Sequence, residues 1–442
     1  MIHRKNSVLF VLLACTAAAW GTPKADAVLE WNEVMLTTLT GYSPLDETRV
    51  AAITQLAVFE AVNAVTARYH PYLGTLDAKQ NASAEAAAIA AAHATLIESV
   101  PARKAELDAA RAKSLASIAD GPSKNDGIAL GEAAAKKVIE LRINDGSAVP
   151  EFYKPASPTP GAWQLTPSCS DGVGVGLHMG NVRPFGIRSS KQFRAAPPPR
   201  LTSRRYAKAY DELRRVGGEL STERPQDRSD VARFYAVVLA IRTWNPVARQ
   251  VAMSQGRSIS ENARDLALLN MAMSDALVSV FETKYHATLW RPETAIRAGD
   301  RDGNRATRGD RDFVPFVVTP CHPSYPSAHA SAAHAARAVL ERSYGCNAHA
   351  IKLASAAIPE VVLEYRHFDE ITDDIDDARI FGGIHFRFDQ EAGARQGRRV
   401  GEYVYDHNLQ PIFKESHTAE RFGRGRRCKL ERPDVKKDAN IS

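Results

Sequence analysis

The sequence predicts an all-α protein built as a helical bundle. Apolar residues recur at helical spacing in several long segments. No run of alternating apolar and polar residues is long enough to predict a sheet. The composition is that of a soluble globular protein, because 44% of the 442 residues are apolar and 24% are charged. A chain of this length can bury a large core without the help of disulfides or a structural metal.

The helical patterns are spread over both halves of the chain. Residues 48–66 show one clearly, since Ile53, Leu56, Ala57 and Ala61 recur at helical spacing. Further helices are predicted at residues 84–100, 103–119, 127–142, 203–217, 227–243 and 260–284, and in the Ala-rich run that ends at Leu340.

Composition divides the chain into five predicted regions. The stretch around residues 150–199 is rich in Pro, Gly and Ser, which favours extended, irregular backbone. A connection of this length is usually functional or wrapped onto the surface. The predicted regions are a signal peptide (1–27), an N-terminal helical region (28–149), a Pro/Gly-rich connection (150–202), a C-terminal helical bundle (203–410) and a basic tail (411–442).

The N-terminus predicts export to the periplasm or the extracellular space. Arg4 and Lys5 precede an apolar stretch at residues 8–20, and Ala25-Asp26-Ala27 has the small residues of a cleavage site. The alternative is lipid attachment at Cys15. No later segment is expected to be long and apolar enough to cross a bilayer.

Charge and cysteine content narrow the function classes further. The net charge of +6 is too small to predict nucleic-acid binding. In an oxidising compartment, the four cysteines beyond the signal can form two disulfides in three possible connectivities. Their spacing matches no zinc site. These cysteines are Cys169, Cys321, Cys346 and Cys428.

Lys284 and Arg291 form the first candidate site segment. They are seven residues apart, so on one continuous helix both side chains would leave nearly the same face. Pro292 is expected to end that helix just after Arg291. A guanidinium fork and a compact ammonium together suit a small oxyanion. Alone, however, this spacing is more typical of a solvated basic face.

The second segment surrounds a predicted helix start at Ser327. A serine N-cap, free backbone amides and the positive end of the helix dipole favour an anion site. His329 lies in the first turn, where it could exchange a proton with a bound oxygen. His322 and His334 lack this placement and are interpreted as structural.

The third segment runs from Arg379 to Asp389. Arg379 and His385 are six residues apart, so a continuous helix would separate them, and Gly382-Gly383 permits a break that relieves this. His385 and Asp389 are four residues apart and are expected to share a helical face, where the carboxylate would orient the imidazole.

In this order and spacing, the segments resemble the pattern K-x6-R-P, P-S-G-H and S-R-x5-H-x3-D of the superfamily of vanadium-dependent haloperoxidases and type 2 phosphatidic-acid phosphatases. Ala328 replaces the usual Gly and Ala378 the usual Ser. The first change adds a methyl group beside the anion, and the second removes a hydroxyl beside Arg379. The runs 59–63, 160–163, 183–185 and 379–389 are similar to the soluble vanadium chloroperoxidase branch. The resemblance implies a helical bundle of the vanadium chloroperoxidase/acid phosphatase type.

The resemblance also implies that vanadate is the cofactor, and phosphate fits the same site. Three fixed positive charges suit an anion of charge two or three. The residues implied to bind its oxygens are Lys284, Arg291, Ser327, the backbone amide at Ala328, and Arg379.

The catalytic residues implied are His329, His385 and Asp389. His385 would bond vanadium directly, and His329 would act as an acid–base near the apical oxygen. The preferred function is haloperoxidase, which oxidises halide with hydrogen peroxide and modifies an organic acceptor. The alternative is an exported acid phosphatase, in which His385 attacks the phosphorus of a phosphate ester and His329 protonates the leaving group. A non-catalytic oxyanion-binding protein is the third hypothesis.

Overall fold

The computed structural model describes residues 25–156 and 158–413. Within these ranges the chain is predominantly helical, which confirms the all-α prediction. The helices are α1 (Ala27–Thr38), α2 (Pro44–Thr66), α3 (Ala84–Ser99), α4 (Lys104–Leu115), α5 (Pro122–Arg142), α6 (Arg204–Val216), α7 (Gln226–Val237), α8 (Ala240–Ser254), α9 (Ile259–Ala287), α10 (Pro292–Arg297), α11 (Ala328–Tyr344), α12 (Phe368–Phe381) and α13 (Arg387–His407). Short 3-10 helices lie at Pro101–Arg103, Leu177–Asn181 and Gly299–Arg301.

Two departures from the predicted elements have local causes. The antiparallel strands β1 (Ile351–Leu353) and β2 (Leu363–Tyr365) are each three residues long, too short to show an alternating pattern. The single helix predicted at residues 227–243 is wrong, because the backbone turns extended at Val238 and Leu239 and divides it into α7 and α8.

The long helix α9 is the central element of the bundle. It packs on α2, α11 and α13, and one apolar cluster continues from α1 through α9 to α13. Among the described helices, α9 alone has the length and hydropathy of a membrane span, although no such segment was expected after the signal. However, 94% of its apolar window is buried inside the protein, as expected for a core helix.

Close packing of α13 on α11 brings the starts of these two helices together. Three glycines of α13 face α11, and a Cβ atom at Gly397 would collide with the backbone of Ser331. The other two are Gly393 and Gly401. The close approach lets the Ser327 amide donate to Asp389 O at 3.0 Å, so the start of α11 is fixed beside the first turn of α13.

The connection between α5 and α6 is held to the bundle by a buried carboxylate. Among its described residues it contains no α-helix, only the 3-10 helix Leu177–Asn181. The carboxylate of Asp275 on α9 accepts three backbone N–H bonds from Phe185, Gly186 and Ile187, at 2.6, 2.6 and 2.8 Å. Burial raises the pKa of Asp275 to about 6, while these bonds act in the opposite direction.

Candidate oxyanion site

The three predicted site segments converge on one buried cluster. Lys284 lies in the last turn of α9, Ser327 is the N-cap of α11, and Arg379 lies in the last turn of α12. The other residues predicted for this site, described below, are Arg291, Ala328, His329, His385 and Asp389. Helix ends supply the cluster because they carry free backbone groups and leave side chains pointing beyond the helix.

The Lys284 ammonium is completely buried at the end of α9. Its Nζ donates to the backbone carbonyls of Pro323 and Ser324, both at 2.8 Å, which leaves one donor for a further partner. Burial lowers the pKa of Lys284 well below its usual range, and the nearby Arg291 guanidinium acts in the same direction. A bound anion would oppose both effects, because it stabilises the charged form.

Arg291 is also completely buried, but it does not share a helix with Lys284. The prediction of one continuous helix to Arg291 is wrong: α9 ends at Ala287, and Thr288 adopts the left-handed conformation. Pro292 begins α10 rather than ending a helix, since proline is well suited to the first helical position, and Arg291 is the N-cap residue. The guanidinium therefore enters the site from a loop.

Four contacts hold the Arg291 guanidinium in one orientation. Its Nε donates to His322 O at 2.7 Å, and Nη1 donates to Ile384 O at 3.0 Å. Nη1 also donates to His385 Nε2 at 3.1 Å, and Nη2 to His322 Nδ1 at 3.0 Å. Burial lowers the pKa of Arg291. The side chain thus links the segment before α11 with the segment before α13.

The third cation, Arg379, is held by a hydrogen bond to the C-terminal end of α7. Because α7 ends at Val237, the carbonyl of Tyr235 has no helical partner, and it accepts from Arg379 Nη1 at 2.9 Å. Arg379 Nε is buried and has no hydrogen-bond partner. Burial lowers the pKa of Arg379 to about 10. The break at Gly382-Gly383 is confirmed, since α12 ends at Phe381 and Gly383 has φ of 78°.

Helix α11 begins at the site, as predicted. Ser327 is completely buried, and its side chain accepts from Ala330 N at 3.4 Å. Ala328, where the superfamily pattern has Gly, is the first helical residue, and its methyl group packs against the apolar cluster around α9. His329 follows, and its Nε2 is buried without a partner. Burial, Arg379 and Lys284 lower the pKa of His329 well below its usual range, so its ring is neutral near neutral pH.

His385 and Asp389 are in contact, although not on a common helical face. His385 precedes α13, and Asp389 lies in its first turn. His385 Nδ1 donates to Asp389 Oδ2 at 3.0 Å, which leaves Nε2 as the acceptor that faces Arg291. Burial, followed by the Arg291 charge, lowers the pKa of His385 well below its usual range. Its Nε2 lone pair is therefore free of a proton near neutral pH.

Two residues of the site were missed or misinterpreted from the sequence. Ser324 Oγ donates to Asp389 Oδ2 at 2.5 Å and lies 3.4 Å from His385 Nδ1. His322, interpreted as structural, contacts Arg291, and burial lowers its pKa well below the usual range. Their position in the run that leads to Ser327 is the one sequence signal that could have identified them.

The charge of the cluster calls for an anion. Lys284, Arg291 and Arg379 are three buried cations, and in the described parts of the chain no carboxylate forms an ion pair with any of them. Asp389 is the buried carboxylate of the cluster, and burial raises its pKa to about 6. Buried charges are normally paired. The unmatched cations, with the unpartnered Nε atom of Arg379 and Nε2 atom of His329, therefore fit a compact oxyanion with at least two negative charges.

Comparison with known proteins agrees with this assignment of the fold. Residues 264–414 match the family model of the VCPO second helical-bundle domain. A bacterial vanadium-dependent iodoperoxidase is similar with a TM-score of 0.74 and 23% identity, over 88% of this chain and 96% of that chain. The apo-type bacterial vanadium-dependent chloroperoxidase has a TM-score of 0.66 and 17% identity, over 85% of this chain and 97% of that chain. The holo-type chloroperoxidase has a TM-score of 0.67 and 17% identity, over 88% of this chain and 98% of that chain. No curated protein matches the chain.

The described residues form an all-α protein with a buried cluster of three cations, Lys284, Arg291 and Arg379. Residues 264–414 match the model of the VCPO second helical-bundle domain, and 85–88% of the chain is similar in fold to bacterial vanadium-dependent haloperoxidases. The resemblance predicted from the three motifs is thereby confirmed for this superfamily. At these identities, the structural similarity shows the fold and leaves the reaction to be argued from the site.

Proposed function

We propose that the protein is a vanadium-dependent haloperoxidase with vanadate as its resident cofactor. The observation that carries the proposal is the set of three buried, unmatched cations around the proton-free Nε2 of His385. This donor set fits vanadate, which needs both neutralisation of its charge and one nitrogen ligand. Solved structures similar in fold include a bacterial vanadium-dependent iodoperoxidase and a bacterial vanadium-dependent chloroperoxidase, which favours this interpretation of the site.

Each residue has a distinct task in this proposal. Lys284, Arg291 and Arg379 would hold the anion oxygens by charge-assisted hydrogen bonds, with Ser327 and the Ala328 amide at the start of α11. His385 Nε2 would bond vanadium. Bound vanadate supplies Lewis-acid activation of hydrogen peroxide for the oxidation of a halide. An organic acceptor would then take up the oxidised halogen.

Asp389 and Ser324 keep His385 in the form that can act as a ligand. The carboxylate accepts the Nδ1 proton, so the Nε2 lone pair is directed at the cations. Ser324 donates to the same carboxylate oxygen and so fixes its orientation.

His329 is the group suited to move protons. Its ring is neutral near neutral pH and its Nε2 has no partner, so it can accept a proton from hydrogen peroxide and return it to a departing oxygen. The missing partner at Nε2 distinguishes it from His334 on the same helix, whose Nε2 pairs with Asp376 at 3.1 Å.

We also propose that the protein is exported. The disulfide between Cys169 and Cys321 supports an oxidising compartment. Residues 1–24, including Cys15, and residues 414–442, including Cys428 and most of the predicted basic tail, lie outside the described residues. Asp26 of the predicted cleavage site caps α1, and its carboxylate accepts from Leu29 N at 3.0 Å and from Asn262 Nδ2 at 2.8 Å.

One purified sample, freed of bound anion and divided in two, tests the proposal. One half receives vanadate, hydrogen peroxide and bromide or chloride with a halogen-trapping dye. The other receives a chromogenic phosphate monoester without vanadate. Vanadate-dependent halogenation, abolished in His385→Ala and retained in His334→Gln, is the expected result. Phosphate release without halogenation would replace the proposal with an exported acid phosphatase. Anion binding without either reaction would indicate a binding protein.

A further inference from the structure

The loop formed by residues 321–324 holds two of the three site cations through its backbone. The carbonyl of His322 accepts from Arg291 Nε at 2.7 Å, and the carbonyls of the next two residues both accept from Lys284 Nζ at 2.8 Å. The side chain of its last residue donates to Asp389 Oδ2. A displacement of this loop would therefore move two cations and the His385–Asp389 pair together.

The first residue of this loop is covalently attached to the connection between α5 and α6. Cys321 forms a disulfide with Cys169, with the two Cα atoms 5.4 Å apart. Six residues beyond Cys169, Val175 N donates to the carbonyl of Cys321 at 2.8 Å. Ser168 Oγ donates to Thr319 O at 2.5 Å, just before the loop. Three contacts thus fix the entry to the 321–324 loop.

The same connection also supports the second site loop, residues 288–291. Trp163 N donates to Thr288 O at 2.6 Å, and Trp290 N donates to Gly161 O at 2.9 Å. Both bonds lie just before the start of α10, where Arg291 is the N-cap residue. We name residues 161–175 the bridging segment, because they link the two loops that carry and hold the site cations.

Val175 joins the bridging segment to α9 as well. Its carbonyl accepts a hydrogen bond from the hydroxyl of Tyr285, the residue after Lys284, while its amide donates to Cys321. The peptide groups of Val175 therefore lie between the helix end that carries Lys284 and the loop whose carbonyls accept from Lys284. Neither the disulfide nor Val175 belongs to the set of anion-binding groups.

We propose that the Cys169–Cys321 disulfide is a positioning element of the oxyanion site, which acts through the 321–324 loop on Lys284 and Arg291. This loop has no helix or strand to hold it, and such segments open at low free energy unless they are cross-linked. A shift of about 1 Å would lengthen the bonds to both cations beyond hydrogen-bonding distance. The site would then lose the preorganisation on which tight anion binding depends.

The test measures anion affinity in the full-length protein, with inorganic phosphate and orthovanadate as separate probes. Isothermal titration calorimetry on Cys169→Ala/Cys321→Ala should show binding about 10- to 100-fold weaker than wild type, as for the loss of groups that orient direct ligands. Hydrogen–deuterium exchange should be faster at residues 319–326. Both measurements are made well below the melting temperature of the variant.

Val138→Ala is the matched control for lost stability. Val138 is fully buried in α5, which packs on α2 and α3, so truncation destabilises the protein away from the site. Its phosphate affinity should equal that of wild type. A merely structural disulfide would behave like this control.

Tyr285→Phe provides a milder change should the disulfide variant fail to fold. It keeps both cysteines and removes only the hydroxyl that donates to Val175 O, so phosphate affinity should fall by about two- to tenfold. Wild-type affinity in the folded disulfide variant would overturn the proposal, and if that variant does not fold, wild-type affinity of the native protein after reduction of the disulfide would do so.

The inference rests on the proposed function only in requiring an oxyanion site. A wild-type protein that binds vanadate but does not halogenate would refute the proposed function, and the affinities of the variants would still decide the inference. A wild-type protein that binds neither anion would overturn both.

Discussion

Arg291→Lys keeps the charge of the site and removes the guanidinium fork, so it separates electrostatic attraction from geometry. Arg291 is the cation with the most contacts, to the His322 carbonyl and ring, the Ile384 carbonyl and His385 Nε2. If charge alone held the anion, the substitution would be nearly neutral. The structure predicts instead a substantial loss of affinity.

The expected magnitude follows from the two carbonyls that Arg291 holds. The side chain is 0% exposed, so water cannot replace a lost donor. An ammonium has a single nitrogen, so it cannot reproduce the three guanidinium nitrogens that hold these carbonyls and the two histidines, and a buried group left unpaired costs about 1–3 kcal/mol. The one guanidinium N–H that these contacts leave for an oxyanion is lost as well. Binding of phosphate or vanadate should be about 10- to 100-fold weaker, which corresponds to about 1.4–2.8 kcal/mol.

Isothermal titration calorimetry with phosphate and with orthovanadate measures this loss directly. Arg301→Lys is the matched control, because Arg301 is an exposed arginine at the end of the α10 region. Arg291→Met, which removes charge and fork together, should bind more weakly still. Affinity of Arg291→Lys within about twofold of wild type would refute the argument from geometry, since it would leave less than about 0.4 kcal/mol for the fork.

Further predictions concern the other site residues and the N-terminus. Phosphate at about a hundredfold excess over its Kd should stabilise the wild-type protein by about 2.7 kcal/mol. Because Arg379→Met removes one of the site cations, the same phosphate concentration should raise its melting temperature by less, as measured by calorimetry. The folded pKa of His329 lies below its unfolded value of about 6.5, so the unfolded chain takes up the proton first and wild type loses stability as pH falls below that value. His329→Gln lacks this titration, so its free energy of unfolding should rise relative to wild type by up to about 1.4 kcal/mol per pH unit as the pH falls. Urea unfolding at successive pH values measures this, and a difference in unfolding free energy that does not change with pH would contradict the lowered pKa. Mass spectrometry of the exported protein should find a mature chain that begins at Val28. Because such a chain lacks Asp26, the N-cap of α1, its free energy of unfolding should be about 1 kcal/mol lower than that of a chain that retains Asp26. A mature chain that begins upstream of Asp26 would place the cleavage site earlier.

Several features of the site depend on local chemistry and could be predicted from the sequence. Ser327 has the side chain of a helix N-cap, and Gly382-Gly383 can adopt the backbone that ends α12, so both helix ends were predicted correctly. The helical spacing of the apolar residues that are buried in α2, α3 and α9 is likewise a property of the local sequence. The three motifs carry the site residues because each pairs a helix end with a charged or imidazole side chain.

Other features depend on which segments meet in space. The sequence favoured a helix through Arg291, but the backbone leaves α9 at Thr288 and takes Arg291 to the start of α10. The end of α7 was missed for a similar reason, since its free Tyr235 carbonyl gains its partner from Arg379, 144 residues later. Local propensity contains no information about such distant partners.

The sequence by itself therefore determined the fold class, the charged residues predicted for the site, and the helix ends at Ser327 and Gly382-Gly383. The tertiary structure alone decided which cysteines pair, that Ser324 and His322 join the site, and that the 161–175 segment supports both site loops. The physical reason is the distance along the chain over which each interaction acts. Helix capping and periodicity act within a few residues, whereas burial, ion pairing and loop support depend on contacts between residues far apart in the chain.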